Sequence, residues 1–322
     1  MSGQLSQLQR WLQDPPPSLV LEISEQAVSL ARMTKKSRLP DTLALSNLAR
    51  GAVEPSPIRE NVQNAEEFDR ALRDVVNQVA AKGGPLRKKD TAVLLPDNCS
   101  RITVLDFETL PGDPAERLAL IRWRLKKAVP FDVDTAALSY QIQRQGNARP
   151  GFAAEPISVL VAVSPSEVIT QYEEAVRRAG LVPGYVSISV AAALNLVVEH
   201  GVTMLAKLAG RTLSLVVIDQ GCVRLVRSLE TGGSPAGVSG PEALSEDRLR
   251  EMAADLYPTF VYVADNFGAP ISKLVLAGFG PAFPAAAEVF LRELGHQAEP
   301  LQGPQGIVEP HTAGIWGFLS AN

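Results

Sequence analysis

Three histidines, two cysteines, four methionines and an aromatic share of 6% leave this 322-residue chain little from which metal centres and disulfide scaffolds are made. Cys99 and Cys222 are too few for a disulfide framework and read as reduced thiols, small core or turn residues in a reducing compartment. His200, His296 and His311 are widely spaced, with no helix-spaced His/Glu or Cys pair beside them, so no metal site is expected. No stretch approaches the roughly 20 apolar residues that span a bilayer. A secretory signal is not expected either, because no basic segment runs into an apolar one at the N-terminus. The formal charge of -4, from 31 basic and 35 acidic residues, lacks the basic excess of a duplex-binding protein, which sets nucleic acid aside.

What is present is a globular composition, 46% hydrophobic and 20% charged, sufficient for one large core or two domains. Residues 1–17 form an N-terminal amphipathic or linker segment, with Leu5, Leu8 and Leu12 on one helical face, Trp11 beside it and three prolines after it. Leu19 to Arg32 reads as a hairpin, Thr42 to Leu48 as a third strand, and Ala65 to Ala81 as a helix carrying Phe68, Leu72, Val75 and Val79 at helical spacing. A buried strand follows at Asp90 to Leu95. From Thr203 the pattern restarts: three short strands up to Ser228 with a hairpin signal at Asp219-Gln220-Gly221, a helix from Pro241 to Phe267, a strand at Ile271 to Gly278 and a helix at Phe283 to Leu294. Two halves, each a hairpin followed by helix and buried strand, indicate a duplicated α/β fold.

Between the halves the rhythm breaks. Strand Ile102 to Leu105 is followed by a helix from Pro114 to Ala128, opened by an Asp113 cap and stopped by Pro130-Phe131, then by strands at Ala136 to Gln143 and Ile157 to Val163. A helix beginning at Ser164-Pro165-Ser166-Glu167, the segment Leu181 to Ile188 and an Ala-rich helix from Val190 to Glu199 return to the first half. The order predicts a first lobe over 18–98, an inserted α+β subdomain over 99–163, a return over 164–200 and a second lobe over 201–322.

Arg122 to Asp134, the Ala179-Gly180-Leu181 helix end, Arg227 to Gly233, Leu274 to Gly280 and the closing helix Ala313 to Leu319 together resemble the type IV pilus assembly protein PilM family. That family is the FtsA/PilM branch of the actin-like (ribonuclease H-like) fold. The resemblance implies a cytoplasmic adaptor or scaffold of a type IV pilus or related envelope machine, with a role in twitching motility. It further implies contact with other pilus assembly components and peripheral attachment to the inner membrane through the short tail of a PilN-like protein. The basic helix of the subdomain offers Trp123, Lys127 and Phe131 as partner-binding candidates, against the plainer reading of a solvated helix face with core aromatics.

Actin-like ATPases hold ATP with magnesium between two hairpins. At the corresponding positions this chain has Glu22 and Ser24 in the first hairpin, Lys207 and Arg211 in the second, and Ser187 and Ser189 where acids are expected. Gly232 and Gly233 are either part of the nucleotide site or a flexible connection. Gly278, Phe279 and Gly280 form the base-side turn, in which Phe279 either stacks on a base or packs in the core. Lys207 and Arg211 either contact phosphate or are solvated hairpin charges. No residue stands out as a catalytic base. The expectation is a degenerate nucleotide site; the alternative is an active actin-like ATPase or kinase of the same superfold.

Overall fold

The computed structural model describes residues 17–33, 39–143, 156–231 and 244–321. β1 (Leu19–Ile23) lies at the centre of the first sheet because all five of its residues are buried, as a strand covered on both faces requires. It turns into antiparallel β2 (Ala27–Met33), which pairs with β3 (Pro40–Asn47). Helix α1 (Ala65–Gly83) starts where the Asn64 side chain accepts the Glu67 amide at 3.1 Å, and it buries Phe68, Leu72, Val75 and Val79. It crosses to β4 (Asp90–Leu95), parallel to β1.

β5 (Arg101–Phe107), α2 (Pro114–Leu125), β6 (Ala137–Ile142) and β7 (Ile157–Ser164) form the inserted subdomain, an antiparallel sheet of order β5-β7-β6. α2 lays Ile121 and Leu125 on Phe107, Val159 and Val161. It opens at the expected cap, Asp113 accepting the Glu116 amide at 2.9 Å. It ends at Leu125 rather than Ala128 because the last turn tightens: the Ala128 and Val129 amides both donate to the Leu125 carbonyl.

α3 (Ser166–Arg178) and β8 (Val182–Ile188) complete the first sheet, in the order β3-β2-β1-β4-β8. The expected helix from Val190 to Glu199 is only α4 (Ser189–Ala193) followed by one 3₁₀ turn. The ladder tightens after Ala193, where the Val197 amide donates to the Leu194 carbonyl.

The second lobe repeats the plan. β9 (Thr203–Ala209), β10 (Thr212–Asp219) and β11 (Cys222–Glu230) are antiparallel, joined at Gln220-Gly221 by a turn with φ of 54° and 74°, as a two-residue hairpin needs. α5 (Glu246–Phe267) begins at a Ser245 cap, not at Pro241, which lies outside the described residues. β12 (Lys273–Ala277), α6 (Phe283–Leu294) and β13 (Ala298–Pro300) follow, giving the order β11-β10-β9-β12-β13, the first sheet's order repeated. α7 (Ala313–Ala321) wedges between the lobes, Ile315 and Phe318 packing with Val20 and Leu94, and Trp316 with Val190, Leu205 and Val275.

Candidate functional site

Two features stand out where the lobes and the subdomain meet: a buried polar network between the hairpins and an open groove beside the subdomain. The network centres on Asp97, in the turn after β4. One Asp97 oxygen accepts the Val190 amide at 2.7 Å; the other accepts Lys207 Nζ at 2.9 Å and Ser214 Oγ at 3.1 Å. The Lys207 side chain is 5% exposed and that of Asp97 is not exposed at all, so this ion pair is a desolvated link between the lobes. Lys207 is therefore not a solvated hairpin charge; its ammonium is engaged by a carboxylate.

Glu22 is equally committed. One of its oxygens accepts the Ser189 hydroxyl and the other the Ile315 amide at 3.0 Å. Ser24 closes its own turn with Ala27 and lies 3.0 Å from His311 Nδ1. Arg211 donates to Glu25 through both Nε and its backbone amide, each at 2.9 Å, joining the tips of the two hairpins directly. Gly278 and Gly280 have positive φ, and Phe279 is buried edge-on against Phe290, which places it in the core of the second lobe. Gly232 and Gly233 lie outside the described residues.

Sequence reasoning missed Asp97, Glu25, Ser214 and His311. A signal for the first existed: a lysine in Met204-Leu205-Ala206-Lys207-Leu208, an otherwise apolar strand, requires a buried counter-charge. Asp97 was masked by its Pro96-Asp97-Asn98 context, which reads as an ordinary turn.

His311, with φ of 64°, is held neutral: burial and the Lys207 charge push its pKa from 6.5 down to about 4. A depressed folded-state value means the unfolded chain binds the extra proton first. The associated stability is therefore complete above pH 6.5 and is lost as pH falls towards 4, amounting to about 3 kcal/mol over that window. Urea midpoints across this range should fall more steeply for the wild type than for His311→Asn; parallel curves would remove the assignment.

The groove, about 2390 Å³, lies between β6 and β8 and is bordered by the end of α7. Among the described residues both strands are sheet edges, β6 paired only with β7 and β8 only with β4, so each leaves one side of its ladder open. Apolar side chains stand in it: Ile142 is 40% and Tyr185 48% exposed, the latter with its ring 5.4 Å from Phe318. At its far end Gln143 fixes the subdomain to the second lobe by a two-way bond with the Val223 backbone. Trp123, Lys127 and Phe131 do not line it. Trp123 and Lys127 are exposed on and just after α2, and Phe131 packs partly into the subdomain core.

The sequence matches no protein-family model and no curated protein. Among solved structures, 94% of the chain aligns with 95% of a protein with an actin-like ATPase fold from Bacteroides thetaiotaomicron, at TM-score 0.52 and 10% identity. A chain of a PilM-PilN type IV pilus biogenesis complex is similar over 94% of this chain and 97% of its own, at TM-score 0.73 and 17% identity. The fold is actin-like. The unaligned part is far smaller than the inserted subdomain, so the likeness extends to the subdomain as well as the lobes. Ethanolamine utilization protein EutJ from Carboxydothermus hydrogenoformans is also similar, over 96% of this chain and 91% of its own, at TM-score 0.50 and 13% identity. Among the described residues of this actin-like chain, no helix is long and apolar enough to cross a membrane, and no three His, Cys, Asp or Glu side chains cluster as metal ligands.

Proposed function

We propose that this chain is an actin-like adaptor of a type IV pilus or related envelope machine, which captures the extended cytoplasmic tail of a PilN-like membrane protein in the groove between β6 and β8 and does not turn over nucleotide. The observation that carries the reading is the pair of open strand edges facing one groove with Ile142 and Tyr185 standing in it. An extended peptide satisfies such an edge by adding a strand, with alternate side chains entering the apolar space. The likeness to a chain of the PilM-PilN complex supports a tail of that kind.

The interlobe residues do not fit magnesium nucleotide. A metal-ordering carboxylate turns its lone pairs to the ion or its waters, whereas every oxygen of Glu22 and of Asp97 already accepts from a protein donor with which an incoming ion would compete. The second hairpin brings a lysine where an acid would be required, and Arg211 with Glu25 ties together the hairpin tips between which phosphates would enter. The chain retains the scaffold of the fold while protein groups engage the charged side chains of its hairpins.

Labelled peptides covering the N-terminal tails of single-span proteins encoded beside this chain provide the test. Fluorescence anisotropy should show saturable binding of one such peptide, weakened tenfold or more by Ile142→Asp, untouched by Trp123→Ala and indifferent to millimolar Mg-ATP. Binding that ignores Ile142→Asp but is lost with Trp123→Ala would move the site to the α2 face.

A further inference from the structure

We infer that the basic end of the first lobe contacts the anionic lipid surface of the membrane in which the captured tail is anchored. The connection from α1 to β4 carries Arg87, Lys88 and Lys89 in succession, all exposed, and Lys82 stands exposed on the last turn of α1 beside them. No carboxylate pairs with any of the four among the described residues. The acids nearby are Asp41, whose carboxylate is held by Arg32 and lies below its ordinary pKa through that bond, and exposed Asp90. Four unpaired cations against one free acid, in a chain of net charge -4, form a local excess that a solvated helix face does not explain.

The groove supplies the second observation. It has two ends. One is bordered by Arg87 and Lys88 together with Pro17, Ser18 and Asp90; the other, at Gly221 and Val223, lies next to Glu199, which accepts the Gly221 amide, and Asp219, paired with Arg224. A tail lying in the groove and continuing into a bilayer anchor must leave by one end, and only the first presents a charge that anionic headgroups attract. Each exposed cation near such a surface adds to the attraction, and all are screened by salt. Lipid is favoured over nucleic acid because the cations flank the exit of a groove suited to a peptide and no aromatic residue is interleaved with them. The orientation rests on the groove reading above, while the lipid contact is tested separately.

The full chain would be sedimented with vesicles of phosphatidylcholine alone and of phosphatidylcholine with phosphatidylglycerol, at low and high salt, beside the triple variant Arg87→Glu, Lys88→Glu, Lys89→Glu. The expected result is binding to the anionic vesicles only, reversed by salt and reduced tenfold or more in the triple variant. Equal binding to neutral vesicles, or a triple variant that binds like the wild type, overturns the inference. Capture of short duplex DNA with the same charge dependence, and no vesicle binding, overturns it in favour of nucleic acid. If vesicles bind as expected but no tail peptide does, the groove reading fails alone; if the tail binds but vesicles do not, the lipid contact fails alone.

Discussion

Lys207→Met should lower the free energy of unfolding by about 3–5 kcal/mol, among the largest losses any single substitution will cause in this chain. The methionine fills the space, so the cost is electrostatic. Asp97, with a fully buried side chain, is left with the Val190 amide and Ser214 hydroxyl but no counter-charge. Desolvating a carboxylate is tolerable only when hydrogen bonds and an opposite charge replace its water, and here one of the two is removed. The double variant Lys207→Met, Asp97→Asn should recover much of the loss, because a pair removed together leaves no orphan charge. Urea denaturation of the two variants and wild type reads both effects. A single variant within 1 kcal/mol of wild type would mean that the lobes are not joined through this pair.

The second large effect is expected at Gly278→Ala, about 2–4 kcal/mol, read by the same titration. Gly278 has φ of 83°, and a Cβ there would lie 1.9 Å from the Leu208 carbonyl oxygen. The left-handed backbone disfavours any side chain, and the partner atom is backbone in a paired strand that cannot swing aside. This glycine lets the chain leaving β12 pass over the end of β9. The variant should weaken the second lobe without changing the groove's affinity for a tail peptide; a loss of binding at unchanged stability would point to a ligand-facing role instead.

Much of the architecture was legible from local chemistry. Asp113-Pro114 opens α2, Gly83-Gly84 ends α1, Gly295 ends α6 and Gln220-Gly221 makes the hairpin turn, because caps and turns are set by the donors and φ values a few residues supply. The repeated hairpin-helix-strand order was visible for the same reason. Val190 to Glu199 has a helical composition, but α4 passes after Ala193 into a 3₁₀ turn in which the Val197 amide donates to the Leu194 carbonyl. The partner-binding candidates Trp123, Lys127 and Phe131 were drawn from a helix that looked distinctive in one dimension. The groove is lined instead by strand residues such as Ile142 and Tyr185, 43 positions apart, whose shared exposure depends on which strands are left at the sheet edges.

The sequence by itself determined that this is a duplicated α/β chain with an inserted subdomain, and that a lysine, Lys207, stands in the second hairpin where a magnesium nucleotide would need an acid. Only the tertiary structure decided what the hairpin residues do. Lys207 is 110 residues from Asp97, Glu22 is 167 from Ser189 and Arg211 is 186 from Glu25, so no periodicity or spacing links them. They meet because two lobes close on each other. A charge buried by that closure is stable only with its partner, and that requirement, which is global, selects which distant residues become a site.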